Sequence, residues 1–424
     1  MKKYRLSSLL VTFVLALTLL APFSALAADA PHITSRHAVL MDANYGEILY
    51  EKAAREKAYP ASITKVMTAL LVSEAIDRGE LSQDQMITVS STSQFDLSAD
   101  GSTANLKPGE VISVKDLMYC LLLPSANEAA NILAEAVCGD VASFIELMNQ
   151  RARELGCTGT NFTCAHGLFD YGNVSTAQDL AKIAAACAEN QTFAQVAGTA
   201  SYVLPATNLR KAEYTISSSN SLMNSESSNY REYVQWVKGG FTTLAGRCIV
   251  AFAQQDGHNY GLVILGCDTL DHLFTACDDL FDWAFASFAD RPLVDTQTVL
   301  TTVDLTKCRT EPAVELYAAA PVSGYGHSDD KVSYSFDLPE RVSATVKEGQ
   351  KLGTATVYLD GYEVGQVDLV THREYVSDFR TDIKATLLLL CALILILCAL
   401  GFVTLRCGGG LTLNQRRRQM KKRR

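Results

Sequence analysis

The cysteines of this chain show neither C-x-x-C pairs nor the Cys–His spacing of a zinc site, so no metal is expected. Nine of the twelve lie in the body ahead of residue 384, an odd number that intramolecular disulfides cannot use up, and they read as small core residues. No period of about 20–50 residues recurs, which excludes a repeat array. Charge is sparse, at 20% against 48% apolar residues, the balance of a globular body with membrane segments added. Positive charge is scarcest where a nucleic-acid binder needs it. Setting aside three cationic residues near the N-terminus and eight near the C-terminus leaves 26 Lys and Arg against 46 Asp and Glu, a balance of −20. Such a body repels polyphosphate, which excludes nucleic acid as a partner.

Two long apolar runs are present. Residues 1–27 have the form of a secretory signal: Lys2, Lys3 and Arg5, then the run Leu9 to Leu20, then Ala25-Leu26-Ala27 as a small-residue cleavage site. The second run, 385–405, contains no charge. At 1.5 Å per residue a helix there is about 31 Å long, enough for the hydrocarbon core. A basic tail, 406–424, follows with no acid in it and places that end in the cytoplasm. The body is therefore expected outside the cell membrane on a single C-terminal anchor.

Within the body, residues 32–290 mix strand-like and helix-like stretches. His37 to Met41 and Glu47 to Tyr50 flank a glycine-bearing turn. Helices are expected over 63–71 after Pro60, over 114–123 and 128–137 with a break at Pro124, and over 278–288. Strands are expected over 234–238, 248–254 and 260–265. Strands at both ends with helices between imply an α/β (α+β) domain with a largely antiparallel sheet and a helical subdomain. From 291 to 372 the pattern changes to short β-branched runs over 298–303, 332–336, 342–346, 355–359 and 365–370, which reads as a small all-β domain.

Three short motifs carry chemistry. In Ser62-Ile63-Thr64-Lys65 the serine and lysine lie three apart, so one helical face brings hydroxyl and amine together. Serine needs a base, and lysine serves as one only when burial beside another cation lowers its pKa. Ser125-Ala126-Asn127 falls at the break after Pro124, where a loop aims both polar side chains into a cleft. Lys238-Gly239-Gly240 ends a strand, offering a cation beside a backbone with little side chain over it. Each motif alone is ordinary: an N-cap, a turn, a strand end.

Together, in this order, they are the triple of penicillin-interacting serine enzymes. The chain resembles the D-alanyl-D-alanine carboxypeptidases, the low-molecular-mass penicillin-binding proteins. The likeness extends through Tyr59 to Ala69, Leu117 to Asn131, His166-Gly167-Leu168, Ser175 to Leu180 and Lys238 to Gly246. It implies removal of the terminal D-alanine from pentapeptide stems of peptidoglycan, with Ser62 as nucleophile and Lys65 as general base. It implies that Ser125 and Asn127 position substrate and pass a proton. The backbone N–H groups of Ser62 and Phe241 would form the oxyanion hole, and Lys238 would help hold the terminal carboxylate. β-Lactams would acylate Ser62, and no cofactor is required.

Two departures stand out. The family's third motif is usually K-T-G, and here residue 239 is glycine. Some relatives carry an arginine after the strand that follows; residues 266–278 contain none. Thr242 or Thr243 is a candidate to supply the missing hydroxyl. Both changes thin the carboxylate pocket, so a low-turnover penicillin-binding or regulatory homologue is the alternative to an active carboxypeptidase. A β-lactamase is disfavoured because no segment matches its deacylating glutamate, and endopeptidase action on cross-links would use the same residues.

Overall fold

The computed structural model describes residues 30–44 and 46–407, and two compact units divide between Ser287 and Phe288. The expected signal, 1–27, and the basic tail beyond residue 407 lie outside the described residues.

The first unit is built on a five-stranded sheet. Its strands are β1 (His37–Asp42), β2 (Glu47–Lys52), β3 (Val234–Thr242), β4 (Gly246–Gln255) and β5 (His258–Cys267), ordered β2-β1-β5-β4-β3 with every pair antiparallel. The two ends of the unit's sequence thus meet at β1 and β5, and β3 is left as an edge. β3 runs on to Thr242, four residues past the expected end. The glycines at 239 and 240 weaken the sequence signal without ending the ladder, since Gly239 still pairs with Ile249 and Gly240 with Cys248.

Helices fill the space between the sheet's two sequence halves. α1 (Thr64–Asp77) is buried at every residue from Thr64 to Ser73, the fate of a helix with no polar stripe. α2 (Val114–Leu122) begins under a Ser113 cap on the Asp116 N–H. α3 (Asn127–Cys138) ends at Gly139, whose φ of 84° makes the left-handed cap. α4 (Val141–Glu154), α5 (Ala177–Glu189) and the short α6 (Gln191–Ala197) each start from a side-chain cap: Asp140, Thr176 and Asn190. One apolar core joins α1 to Val39 of β1, Trp236 of β3 and Val250 of β4. α7 (Leu270–Ser287) starts eight residues before the sequence reading placed it. Leu273, Ala276 and Cys277 continue the buried stripe, while exposed Asp271 and His272 disguise the first turn.

The second unit is all-β with one terminal helix. Its six-stranded sheet runs Val332–Asp337, Lys351–Leu359, Tyr362–Val370, Ala313–Ala318, Thr301–Thr306 and Arg341–Ser343, around a core of Val314, Leu316, Val357 and Leu369. Phe288–Val294 pairs with Val322–His327. Arg291 and Pro292 lie inside the former strand, where proline is tolerated because only one side of the strand is paired. α8 (Asp378–Cys407) carries a 21-residue stretch, Ile383–Val403, of mean hydropathy 3.0 with none of it buried, long and apolar enough to cross a membrane.

Candidate active site

Ser62 sits in a single 3-10 turn, Ala61–Ile63, that leads directly into α1. One helical turn on, Lys65 is fully buried, and its Nζ donates to Ser62 Oγ at 3.1 Å. The same Nζ donates to Asn127 Oδ1 at 2.7 Å and to the His166 carbonyl at 2.6 Å. These three acceptors use all three protons of an ammonium. Removal of one proton leaves two N–H groups for the two short carbonyl contacts and a lone pair aimed at Ser62 Oγ. Burial lowers the Lys65 pKa well below its ordinary value, and the Lys238 cation lowers it further. The Glu128 carboxylate opposes the shift weakly.

The surroundings hold this geometry tightly. Ala61 has φ 49°, and the carbonyl it turns outward lies 2.0 Å from where a Cβ on Gly167 would stand, so residue 167 must be glycine. Thr68 Oγ1 donates to the Ala165 carbonyl at 2.7 Å, and Asn173 Nδ2 donates to Thr64 Oγ1 at 3.0 Å. These bonds tie the 161–175 segment to α1 and fix the His166 carbonyl. The His166 ring is buried; its Nδ1 accepts from the Leu168 N–H at 3.0 Å, which leaves Nε2–H to donate to Asp96 at 3.1 Å. Desolvation lowers the ring's pKa, so this tautomer is the neutral one.

Asn127 is the first residue of α3. Its N–H donates to the Ser102 carbonyl at 2.9 Å, and Gly101 lies so close that a Cβ there would stand 2.6 Å from Asn127 Nδ2. The loop that supplies these contacts is anchored by Glu128, a buried carboxylate. It accepts from Thr103 Oγ1 and the Ala104 N–H, both at 2.7 Å, and from the Leu106 N–H at 3.4 Å. Ser125 has φ 66°, and its buried Oγ has no hydrogen-bond partner among the described residues.

β3 closes the site from the sheet side. Gly240 lies against the turn, where a Cβ would stand 2.9 Å from the Ser62 nitrogen. Lys238 is 3% exposed, donates to the Gly239 carbonyl at 2.8 Å, and is lowered to about 7 by burial. Alternation along the strand puts Lys238, Gly240 and Thr242 on one face, and Gly239 and Phe241 on the other. Thr242 Oγ1 accepts from the Ala245 N–H at 3.1 Å, so it caps the β3–β4 turn and lies on the face opposite the side-chain space at Gly239.

Ser62, Lys65 and Asn127 are therefore in direct contact, Lys238 is within electrostatic reach of Lys65, and Gly240 touches the Ser62 turn. The sequence reading named these residues. It missed the His166 carbonyl, Glu128 as loop anchor and the steric need for Gly167. A backbone acceptor leaves no mark on a side-chain pattern, although the His166-Gly167-Leu168 segment was visible. Among the described residues no cluster suited to a metal ion occurs.

Comparison with known proteins agrees with this geometry. A family model described as D-alanyl-D-alanine carboxypeptidase matches residues 24–269, and one described as penicillin-binding protein 5, C-terminal domain, matches residues 288–377. The chain is 32% identical to D-alanyl-D-alanine carboxypeptidase DacC of Escherichia coli, over 81% of this chain and 84% of that protein. It is 28% identical to DacF of Bacillus subtilis, over 83% and 89% respectively. The solved structure of penicillin binding protein 5 from Haemophilus influenzae superposes with a TM-score of 0.62 at 26% identity, covering 82% of this chain and 99% of that one. One family model alone spans more than half of the sequence, and the chain belongs to the D-alanyl-D-alanine carboxypeptidases, among the low-molecular-mass penicillin-binding proteins.

Proposed function

We propose that this serine-type carboxypeptidase removes the terminal D-alanine of peptidoglycan stem peptides through an acyl-enzyme on Ser62. Neutral Lys65 takes the Ser62 proton as Oγ bonds to the carbonyl carbon of the D-Ala–D-Ala peptide. The carbonyl oxygen gains negative charge in the space beside the Ser62 N–H and the Phe241 N–H, donors preorganised by the turn and the edge strand. The Ser125 hydroxyl, with no partner among the described residues, carries the proton on to the leaving nitrogen, the C–N bond breaks, and D-alanine departs. Asn127 holds Lys65 by its Oδ1 and presents its Nδ2 to the substrate backbone. Lys238 depresses the Lys65 pKa and braces β3 through the Gly239 carbonyl. Water then hydrolyses the ester and restores Ser62. The β3 edge suits an extended peptide lying alongside it.

The observation that carries this reading is the Lys65 amine, fully desolvated and 3.1 Å from Ser62 Oγ, with two carbonyls holding its other protons. We place the catalytic unit outside the cell membrane with Ile383–Val403 as its anchor. The test is intact-protein mass spectrometry with a β-lactam on wild type and Ser62→Ala, run beside D-alanine release from a D-Ala–D-Ala-terminated peptide. Wild type gains one adduct and releases D-alanine, and Ser62→Ala does neither. An adduct that survives the substitution removes Ser62 from the mechanism.

A further inference from the structure

The reaction as proposed makes no use of a row of aromatic rings that borders the reactive serine. Tyr59 lies three residues before Ser62, and its ring meets that of Phe169 edge-on, with centroids 5.1 Å apart. Phe169 meets Tyr171 in the same way at 4.9 Å. Phe169 is 39% exposed and Tyr171 78% exposed, so the row keeps open faces toward water. Aromatic rings aligned and left open at the rim of a reactive centre have the make-up of an incomplete interface.

The row stands on stiff backbone. Asp170, between the two exposed rings in sequence, accepts from the Gly172 N–H at 2.7 Å and from Thr163 Oγ1 at 3.1 Å, both at Oδ1. Asn161 Nδ2 donates to the Gly172 carbonyl at 2.9 Å, and Asn173 Nδ2 ties the segment to Thr64 of α1. A surface held this way has little freedom left to lose when a ligand settles on it. Asp170 is itself exposed, and its second oxygen, Oδ2, accepts from none of the described residues.

Position selects the occupant. A recess lined by Tyr59, Ala61, Leu168, Phe169, Asp170 and Thr242 joins the rings to the reactive centre. Ala61 immediately precedes the nucleophile, and Thr242 follows Phe241 along the β3 edge. With the scissile carbonyl at the Phe241 N–H and the leaving D-alanine toward Gly239, the acyl half of an extended peptide runs past Thr242 to this recess. The side chain of the residue before the D-Ala–D-Ala pair then lies over the rings. A row of rings suits a long alkyl chain, and ring faces beside a carboxylate oxygen suit a cation at its end.

We infer that Phe169, Asp170 and Tyr171 form a subsite for the side chain that precedes the D-Ala–D-Ala pair, selecting an unbranched alkyl chain that ends in an ammonium group. This rests on the proposed acyl-enzyme reading for the direction in which the peptide lies.

The test uses the full chain in detergent micelles and three Nα-acylated peptides, X-D-Ala-D-Ala, with X as L-lysine, L-norleucine or L-alanine. Labelling of Ser62 by 6-aminopenicillanic acid, which has no acyl side chain, counts competent sites. Wild type cleaves the lysyl peptide fastest, the norleucyl next and the alanyl slowest. Tyr171→Ala removes about five- to thirtyfold of the lysyl and norleucyl advantage in kcat/KM, chiefly through KM, and Tyr171→Phe keeps most of it. Asp170→Asn removes only the lysyl lead over norleucyl, about two- to fivefold, and about 1 M salt erodes the same lead in wild type. A merely structural role for Asp170 would not respond to salt. Equal rates on all three peptides in wild type overturn the inference, as does a Tyr171→Ala enzyme that labels fully and keeps the wild-type order. Failure of the functional reading shows separately. If wild type releases no D-alanine, the same peptides are ranked by how strongly they slow Ser62 labelling. A lysyl-first order that depends on Tyr171 and Asp170 then leaves the subsite standing and the reaction wrong, and no order at all removes the subsite too.

Discussion

Restoring a hydroxyl at residue 239 should make this enzyme faster. Gly239 occupies the place where most of the family carries threonine, and the backbone there does not need glycine: its φ lies outside the left-handed range, and a Cβ would make only ordinary contacts at 3.5 and 3.9 Å. Gly239→Thr therefore fits without displacing the strand. Two terms follow. In the free protein, glycine in a strand interior costs roughly 0.5–1 kcal/mol relative to a residue with a side chain, and threonine suits the pleated ladder, so thermal stability should rise slightly. In the complex, the new Oγ1 can donate to the substrate carboxylate. A hydrogen bond to a charged group contributes about 1.5–3 kcal/mol, which is about ten- to a hundredfold in kcat/KM. The assay is D-alanine release from a D-Ala–D-Ala peptide by wild type and Gly239→Thr, with β-lactam adduct formation as a count of competent sites. A variant that is folded and labels fully, yet gains nothing or loses activity, refutes the reasoning: the carboxylate would then lie elsewhere than beside residue 239.

Two further outcomes follow from the buried charges. Glu128→Ala leaves the Ala104 and Leu106 N–H groups and the Thr103 hydroxyl without their acceptor, a loss of about 3–5 kcal/mol that appears as a lower denaturant midpoint with an unchanged slope. The Ser102 and Gly101 contacts to Asn127 go with it, so acylation slows even where the fold persists. Burial lowers the folded pKa of Lys238 to about 7 from the 10.5 of a free lysine, so the folded state binds fewer protons between these limits. Its contribution to stability therefore rises with pH across that window, by at most about 1.4 kcal/mol per unit, and is least favourable below pH 7. Lys238→Met removes that slope, and pH-dependent denaturation of both proteins measures it; an unchanged slope disproves the buried, depressed state. The same substitution withdraws a cation from Lys65, raises its pKa, and shifts the acid limb of acylation to higher pH.

Much of this was legible because the reactive side chains sit on local periodicities. Ser62 and Lys65 are three apart on a helix start, and the sequence alone put them on one face. Pro124 marks the break ahead of Asn127, but the sequence left Asn127 in the loop with a helix from residue 128, whereas the helix takes it in as its first residue. What was hidden depends on chain segments distant in sequence. The His166 carbonyl reaches Lys65 across 101 residues. The β3–β4 register bears on the expectation for Thr242: strand alternation puts it on the face opposite the side-chain space at Gly239, and its Oγ1 accepts from the Ala245 N–H. The unexpected strands of the second unit, such as Val322–His327, escaped notice because serine, glycine and tyrosine give a weak alternation signal.

The positive φ angles at Ala61 and Ser125 bear on how this protein yields under stress. Non-glycine residues held there carry on the order of 1–3 kcal/mol each relative to relaxed backbone. Both flank groups of the reactive centre, and both are kept in place by neighbours such as Gly167 and the Glu128-anchored loop. Local opening at these two corners releases that stored energy, whereas opening within the sheet releases none. Warming or dilute denaturant should thus silence the enzyme while its scaffold is still whole, and amide exchange at residues 61 and 125 should outrun exchange at Val250 or Val263.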